Sequence, residues 1–477
     1  MNSTLPTRNP RTGVIDHPMP VADAAEVATV AARLRAAQPA WAARPAADRL
    51  AVLAAFADAL LAGQPALVEV LSHDTGRRHE SALEVLGVVG TIRRWLDDAP
   101  ALLADEPQRR SRTPHILIEQ HRRPYGVAGV ISPWNFPLLL SLIDAIPALV
   151  AGCAVLIKPS EATPRFVPVL RDVVATVPGL AEVLALVTGA GSTGEALVRN
   201  VDVLCFTGSV KTGRRVALLA AEAFVPAHLE LGGKDPAIVC DDADLQRAAR
   251  ALAWGSMGSA GQSCMSIERC YVQRRVHDAF VERLAAEVRA LQPNWPDIAQ
   301  GQIGPIIAAV QVPTVRRHLE EALAQGATAV TGGRVVERGG GLWCEPTVLT
   351  GTTQAMAVVA EESFAAILPV MPFDDDEHAI ALANDSDFGL SACVFSRDLD
   401  RARAIAARLQ AGAVSINDAA LTAMVYDAAK QSFKRSGLGG SRMGTASLQR
   451  FYRQQAFLIN DGTPSPWWYG KATPTDN

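Results

Sequence analysis

Short apolar runs alternate with helical stretches between Pro133 and Phe206, and this alternation constrains the fold more than any other feature of the sequence. The apolar runs are interpreted as buried strands at residues 154–157, 183–187 and 203–206. The stretch 165–177 between them is interpreted as a helix. Strands separated by helices predict a parallel sheet with helices on its faces. Because a second stretch of the same kind runs from about Gly232 to Val425, the sequence predicts an α/β fold.

Length and charge limit the classes of protein to which this chain can belong. A chain of 477 residues is too long for one core, which predicts two or three domains. A net charge of -4 provides neither a basic footprint for nucleic acid nor a polybasic membrane signal. The apolar region 128–157 contains three prolines and Asp144, which argues against a membrane span. We therefore expect no nucleic-acid partner and no membrane partner.

The cysteines and the first residues favour a cytoplasmic location. Met1 to Pro20 lacks an apolar core, so it does not read as a secretory signal. The seven cysteines are an odd number, are scattered, and form no CxxC pair. This usage favours reduced thiols over disulfides or a zinc site, so we expect no metal.

Cys264 and Glu230 form a candidate catalytic pair. Cys264 ends the string Ser-Ala-Gly-Gln-Ser-Cys, and Glu230 begins Glu-Leu-Gly-Gly-Lys 34 residues upstream. A thiol flanked by small residues can attack a carbonyl, and a carboxylate can manage protons for it or for a hydrolytic water. Free cysteine is usually a small buried hydrophobe, and we interpret the other six cysteines in that way. The pair therefore predicts a covalent thiol enzyme.

Two glycine-rich loops suggest a nucleotide site. Gly189–Gly194 is a literal GxGxxG between a strand and a helix, although the expected acidic residue about twenty positions later is not clearly present. A structural turn is at least as probable there as a phosphate cradle. The loop Phe206–Gly213 also follows a strand, and its N–H groups could face an anion at a helix N-terminus. The two units together predict a nucleotide-binding sheet.

Short segments spread over nearly the whole chain form a set that is more specific than any one of them. They are Pro133–Pro137, Lys158–Glu161, Phe206–Ser209, Glu230–Lys234, Gly261–Cys264, Asn384 with Phe388–Leu390, Gly412–Asn417 and Ser436–Gly439. In this order, and with Asn9–Gly13 near the start, the set resembles the NAD(P)-dependent aldehyde dehydrogenase superfamily.

The resemblance implies an aldehyde dehydrogenase-like fold with three parts. These are a Rossmann-like cofactor domain, an α/β catalytic domain that carries Cys264, and a small β-extension for oligomerisation into a homodimer or homotetramer. The extension would contain the strands within Ile116–Ile131 and the segment Phe451–Ile459. The implied boundaries are 1–113 and 132–231 for the cofactor domain, 232–445 for the catalytic domain, and 114–131 and 446–477 for the extension and C-terminal tail.

The resemblance also implies a reaction and its catalytic residues. The thiolate of Cys264 attacks the aldehyde, and the Asn135 amide and the Cys264 N–H hold the oxyanion of the thiohemiacetal. Hydride transfer to the nicotinamide leaves a thioester, which water activated by Glu230 hydrolyses to a carboxylic acid. Asn135 could instead cap a turn, and Glu230 could be a surface carboxylate. The resemblance favours the catalytic roles.

The cofactor would lie against the helix that follows Phe206–Ser209, with Gly189–Gly194 as a neighbouring turn near the adenosine. Lys158 and Glu161 match positions that bind the adenosine ribose. Because a carboxylate accepts hydrogen bonds from a 2′-OH and repels a 2′-phosphate, NAD is favoured and NADP is possible. The implied cofactor residues are Ile131, Trp134, Lys158, Ser160, Glu161, Gly191, Phe206, Gly208, Ser209, Leu231, Glu362 (nicotinamide ribose) and Phe364.

The candidate substrate-pocket residues are largely apolar, and none of them is a cation suited to a distal carboxylate. Its residues are Phe136, Leu139, Leu140, Ile143, Ser263 and Met265. The small-molecule substrate is therefore expected to be a neutral, hydrophobic aldehyde, aromatic or aliphatic. The alternatives are a semialdehyde dehydrogenase, a coenzyme-A-acylating dehydrogenase, a reductase of acyl phosphates, and a catalytically silent binding protein. Glu230 favours hydrolysis, and the tail Pro466–Tyr469 could cover the substrate mouth.

The chain departs from the superfamily at four places. Ala365-Ala366 replaces Gly-Pro after the Glu362 motif, and the segment Lys430–Phe433 replaces a Pro-Gly-Gly stretch that borders the substrate entrance. Asp144 stands where many relatives carry a Lys that is suggested to relay protons, and Ser441 takes the place of a relay Glu. The proton path from Glu230 is therefore expected to differ.

Overall fold

The computed structural model describes residues 4–104 and 106–462, which form two α/β units and a small antiparallel sheet. The predicted α/β fold with parallel sheets is confirmed. The predicted tail Pro466–Tyr469 lies outside the described residues.

The first unit is built on a six-stranded sheet that is parallel except for one edge strand. In spatial order its strands are Gly437–Leu438, Ala227–Glu230, Val203–Thr207, Val127–Ile131, Ala154–Lys158 and Leu184–Leu186. The helices of this unit are Ala24–Ala43, Ala46–Ala62, Gln64–Thr75, Arg78–Leu103, Pro137–Ala151, Phe166–Ala175, Gly191–Val198 and Val210–Glu222. Strands and helices share one hydrophobic core, which also includes Leu448 and Phe451 of the 3-10 helix Thr445–Phe451.

The second unit has a seven-stranded sheet, again parallel except for one edge strand. Its strands in spatial order are Thr328–Ala329, Thr347–Thr350, Ile367–Phe373, Ile267–Gln273, Asp235–Val239, Ser391–Phe395 and Ala413–Ile416. Its α-helices are Leu245–Met257, His277–Arg289, Val312–Ala324, Ala357–Ala360, Asp376–Asn384, Leu399–Ala406 and Leu421–Met424. Its 3-10 helices are Gly258–Gly261, Arg274–Val276 and Ala309–Gln311. Two separate apolar clusters form its core.

A three-stranded antiparallel sheet joins two distant parts of the chain. Tyr452–Asn460 pairs with Ile116–Pro124 over nine residues, and Ile116–Pro124 also pairs with Arg109–Arg110. Three two-stranded pairs complete the fold: Thr4–Arg8 with Ile15–Pro20, Val335–Arg338 with Gly341–Cys344, and Phe388–Gly389 with Phe433–Lys434.

Two short strands lie in sheets other than those implied by the expected boundaries. Val127–Ile131, assigned from the sequence to the extension, is instead an inner strand of the six-stranded sheet, parallel to both neighbours. All five of its residues are buried, which fits a strand covered on both faces. Gly437–Leu438, assigned to the catalytic domain, pairs with Ala227–Glu230 at the edge of the same sheet. The assignment of these two strands from the sequence is therefore wrong.

No single helix in the described ranges is long and apolar enough to cross a membrane, although the bent pair Ala46–Ala62 and Gln64–Thr75 meets the length and composition criteria jointly. The same residues contain no group of three or more His, Cys, Asp or Glu side chains arranged to hold a metal ion.

Candidate active site

Cys264 lies in a tightly constrained loop just before the strand Ile267–Gln273. Ser259, Ala260 and Gly261 precede it with φ values of 55°, 57° and 70°. Such values are uncommon for residues other than glycine and mark a strained turn. A Cβ on Gly261 would lie 2.2 Å from the carbonyl oxygen of Ala365, so only glycine fits there. The loop therefore has little freedom to move the thiol.

The side chain of Gln262 ties the same loop to the segment 305–307. This buried side chain donates from Nε2 to the Pro305 carbonyl at 3.0 Å and accepts from the Ile307 N–H at 2.9 Å. Its backbone carbonyl accepts a hydrogen bond from Nδ2 of Asn135 at 3.0 Å. The motif that predicted Cys264 therefore also supplies a residue that positions it.

Asn135 comes from the first unit and meets the thiol loop directly. It follows the strand Val127–Ile131, is buried, and keeps one amide N–H beyond the bond to Gln262. Within the described residues the Cys264 N–H donates to no protein acceptor. One donor on the thiol loop and a second on the segment bonded to it are the kind of pair that can hold an oxyanion.

Arg77, which the sequence analysis missed, holds the two loops together. Its buried guanidinium donates to the carbonyls of Asn135 and Ser259, and it lies 5.1 Å from the centre of the Phe136 ring. These loops are far apart in sequence, so no local pattern around Arg77 could have indicated the contact.

Glu230 is brought to the thiol by the Gly-Gly turn that follows it. It ends the strand Ala227–Glu230, beside Thr207 at the end of the neighbouring strand. A Cβ on Gly233 would lie 2.3 Å from the carbonyl oxygen of Cys264, so the turn packs directly on the thiol loop. The Glu230 carboxylate accepts a hydrogen bond from the Ser432 hydroxyl at 3.4 Å.

Electrostatics at Cys264 oppose ionisation of the thiol. The residue is only half-buried, yet burial is the largest influence and raises the pKa of the thiol to about 12. Lys430 acts in the opposite direction, and the carboxylates of Glu362, Asp235 and Glu230 add to the effect of burial. The other six cysteines are all buried, as predicted.

The cofactor candidates of the first unit gather at the carboxyl ends of its parallel strands. Lys158 ends one strand, and its ammonium lies 3.3 Å from the Glu161 carboxylate. A Cβ on Gly194 would contact both Ile131 and Lys158, which places the Gly191–Val198 helix against them. Ligands of open parallel sheets bind at this edge.

The loop after Val203–Thr207 opens the helix Val210–Glu222. Ser209 caps this helix by accepting from the Thr212 N–H, and at Gly208 a Cβ would lie 2.6 Å from the Phe206 ring. At Gly191 a Cβ would meet nothing within 4 Å, so the first turn of the other helix is open. The N-termini of these two helices suit a pyrophosphate, because first-turn N–H groups lack partners within the helix. The residues present therefore fit a dinucleotide.

Glu362 and Phe364 approach this edge from the second unit. Glu362 accepts from the Gly233 N–H at 3.0 Å, and Phe364 lies edge-on to Trp134 at 5.3 Å between ring centres. Burial raises the pKa of the Glu362 carboxyl to about 8. Glu268 accepts from the N–H groups of residues 363 and 364, so the turn is held without the Gly-Pro of relatives.

The predicted pocket residues lie on the helix Pro137–Ala151, on its entry loop and beside the thiol. Ile143 is buried, and the other five candidates are partly exposed. A cation from outside this set lies beside it, because the ammonium of Lys430 is 3.3 Å from the Met265 sulfur. The replaced Pro-Gly-Gly stretch was the signal that could have indicated Lys430.

Asp144 cannot relay protons as a lysine would, because it is part of a buried charge cluster. Its carboxylate lies 2.7 Å from Arg442 and 2.8 Å from Arg450, and Arg442 also donates to the Thr207 hydroxyl. Burial acts to raise the pKa of Asp144, but the two guanidinium groups hold it below its usual value. Ser441 accepts from the Lys430 N–H and donates to the Met443 carbonyl.

Comparisons with known proteins identify the family of this chain. The model of the aldehyde dehydrogenase family matches residues 1–457. A putative succinate-semialdehyde dehydrogenase (NADP(+)) of Mycolicibacterium smegmatis is 35% identical, over 92% of this chain and 85% of its own length. A 4,4'-diapolycopene aldehyde oxidase of Methylomonas sp. is 36% identical, over 87% and 78%. The structure of the putative aldehyde dehydrogenase PutA from Anabaena variabilis is similar with a TM-score of 0.95 and 48% identity, covering 98% of this chain and 99% of that one.

The chain therefore belongs to the aldehyde dehydrogenase family, and it is an oxidoreductase that acts on aldehydes. The predicted family, fold and enzyme class are confirmed. An NAD(P) cofactor fits the family, as predicted.

Proposed function

We propose that the protein oxidises an aldehyde to the carboxylic acid, with Cys264 as nucleophile and Glu230 as general base. The contact between the Gly233 turn and the Cys264 carbonyl carries this proposal, since it brings the carboxylate-bearing strand to the thiol loop. Asn135, bonded to the same loop, supplies the polar donor that the reaction requires.

The thiolate attacks the carbonyl carbon, and the Asn135 amide with the Cys264 N–H stabilises the developing oxyanion. Removing one such donor typically costs roughly 2.7–4 kcal/mol of transition-state stabilisation. When bound, NAD(P)+ would supply the hydride acceptor, and the Cys264 sulfur would then carry the acyl group as a thioester. Glu230 then takes a proton from water, which attacks the thioester and releases the acid and the thiol.

The cofactor would be held between the strand ends of the first unit and Glu362 of the second. The Lys158–Glu161 pair presents an ammonium and a carboxylate to ribose hydroxyls. Because the exposed Glu161 carboxylate would repel a 2′-phosphate, we favour NAD over NADP.

A neutral, hydrophobic aldehyde fits the apolar wall formed by Phe136, Leu139, Leu140 and Ile143. The Methylomonas relative is named for a hydrophobic aldehyde, which supports this class. A second candidate is an aldehyde that carries a carboxylate. The ammonium of Lys430 beside Met265 favours it, and the Mycolicibacterium relative is named for such a substrate.

An NADH-absorbance assay tests the proposal. The enzyme is given NAD+ or NADP+ with hexanal, benzaldehyde or succinate semialdehyde, without coenzyme A. We expect one equivalent of acid per NADH and higher kcat/KM for the neutral aldehydes. Preference for succinate semialdehyde would select the second candidate. A requirement for coenzyme A would contradict hydrolysis, and no turnover with any aldehyde would contradict the function.

Replacing Glu230 by Gln should separate the two halves of the reaction. The thioester still forms, so we expect a burst of one NADH per active site. Steady turnover then falls by roughly 10²–10⁴-fold, the typical contribution of a general base. Stopped-flow absorbance measures both phases. Ser432→Ala, which removes only a hydrogen bond to Glu230, is the matched control and should lose far less. An unchanged steady rate in Glu230→Gln would contradict the assignment of the base.

Cofactor binding should weaken as the pH falls through about 8. Burial raises the pKa of Glu362 to about 8. The ionised carboxylate offers both oxygens as charged acceptors to ribose hydroxyls, whereas protonation turns one oxygen into a donor. Below that pH the group is protonated, so the dissociation constant of NAD+ is expected to rise. Fluorescence titration from pH 6.5 to 9 measures it. Glu362→Gln should bind weakly with a flat profile, and a sloping profile in that variant would assign the effect to another group.

We further propose that residues 127–131 belong to the cofactor domain, since they pair within its sheet. We also propose a homo-oligomer that forms through the strand Tyr452–Asn460. This edge strand exposes 69% of Leu458 and 40% of Phe457, and edge strands readily pair with another chain. Leu458→Asp should give smaller particles in light scattering after size exclusion, whereas Val310→Asp, at another exposed apolar residue, should not. Equal masses would contradict the interface.

A cytoplasmic location remains part of the proposal and is supported by seven free cysteines.

A further inference from the structure

The segment Lys430–Ser432 lies between the two groups that we assign to catalysis. Its first residue reaches the thiol side, where the Lys430 ammonium lies 3.3 Å from the sulfur of Met265, the neighbour of Cys264. Its last residue reaches the base, since the Ser432 hydroxyl donates to the Glu230 carboxylate. The Lys430 N–H donates to the Ser441 hydroxyl at 3.0 Å, which fixes the start of the segment.

The charges that face Cys264 are unbalanced without this lysine. Three carboxylates, Glu362, Asp235 and Glu230, act against ionisation of the thiol, and Lys430 is the cation that favours it. Within residues 4–104 and 106–462, no carboxylate oxygen lies within 4.0 Å of the Lys430 ammonium. Its charge is therefore not neutralised by an ion pair there and acts on the half-buried surroundings of the thiol.

We propose that Lys430 is a positioning residue for the reaction at Cys264, where its ammonium stabilises the thiolate that attacks the aldehyde. This inference rests on the proposed role of Cys264 as nucleophile. The thiol proton leaves to water, while the ammonium keeps its three protons and supplies only charge. An opposite charge close to an ionisable group favours the charged form, and partial burial strengthens the effect.

The pH dependence of thiol alkylation tests the proposal without any aldehyde turnover. The full-chain enzyme is treated with iodoacetamide between pH 7 and 11, and mass spectrometry follows modification of the peptide that carries Cys264. Because the pKa of the thiol lies above this range, the thiolate fraction rises with pH throughout it. In Lys430→Met we expect that fraction to be about tenfold lower at each pH, the low end for loss of a nearby opposite charge. Because a more basic thiolate is also a better nucleophile, the alkylation rate at each pH should fall by about three- to tenfold.

Two variants make the result specific to charge at this position. Lys430→Arg keeps the charge and should keep the wild-type alkylation rate at each pH. Lys211→Met removes an exposed lysine elsewhere and should change nothing. Since Lys430 is only partly buried, Lys430→Met is expected to fold, and Lys430→Gln provides a polar replacement with the same predicted fall in rate. Equal alkylation rates at each pH in wild type, Lys430→Met and Lys430→Gln would overturn the proposal.

A second reagent distinguishes thiolate stabilisation from simple attraction of anions. If Lys430 stabilises the thiolate, Lys430→Met slows neutral iodoacetamide as well as anionic iodoacetate. If only iodoacetate slows, the lysine recruits anionic reagents and the proposal is overturned. Because neither outcome requires dehydrogenase activity, failure here is distinguishable from failure of the proposed function. That failure would instead appear as absent NADH formation in the wild-type enzyme.

Discussion

Replacing Cys264 by Ala is expected to abolish aldehyde oxidation, with kcat lower on the order of 10⁶-fold, the scale seen when a catalytic nucleophile is removed. Without the sulfur no thiohemiacetal forms, so neither a burst nor a steady rate of NADH should appear. Asn135 and Glu230 remain in place, because the loop is held by Gln262 and by Gly261 rather than by the thiol. Stopped-flow and steady-state absorbance with the best aldehyde measure the loss.

Cys240→Ala is the matched control for this experiment. Cys240 is buried in the core of the second unit, and we assign it a packing role only. Its replacement should leave kcat within a few-fold of wild type. NAD+ binding by fluorescence titration should persist in Cys264→Ala, which shows that the variant is folded. Turnover that survived in Cys264→Ala would mean that another group attacks the aldehyde.

The sequence predicted the fold class because that information is local. Each apolar run and each helical stretch is defined within a few residues, and their alternation requires parallel strands. The strand Val127–Ile131 was assigned to the wrong sheet because pairing depends on distant partners. Its run of apolar residues without alternation was a usable signal, since it is typical of a strand buried on both faces. The partly exposed Ile116–Pro124 shows no such continuous burial.

The candidate site was predictable where a motif contains the reacting atoms. Cys264, Glu230 and Asn135 each stand in a distinctive string, and the structure brings the three strings together. The residues that position them were not predictable, because they come from elsewhere. Arg77 lies 187 residues before Cys264, and Lys430 lies 166 residues after it. A single sequence carries no record of such contacts.

Replacing Asp144 by Asn should destabilise the first unit by about 3–5 kcal/mol, the usual cost of breaking a buried ion pair. The buried carboxylate lies between Arg442 and Arg450, both buried, at 2.7 and 2.8 Å. Asparagine keeps the shape but leaves two guanidinium groups without a compensating charge. We therefore expect an earlier first transition in chemical denaturation. Asp144→Lys, the residue of many relatives, adds a third cation and should prevent folding altogether.

The cluster offers two controls that decide between charge and packing. Asp172→Asn removes an exposed carboxylate from the same unit and should shift stability by at most about 0.5 kcal/mol. The combination of Asp144→Leu with Arg442→Met and Arg450→Met removes every charge of the cluster. It should be more stable than Asp144→Asn, because no uncompensated charge remains buried. If Asp144→Asn unfolded like the wild type, the cluster would not stabilise the unit. If the triple variant were the least stable, packing of the three side chains rather than their charge would account for the loss of stability. The cluster would then act through the fold that holds Thr207 beside Glu230.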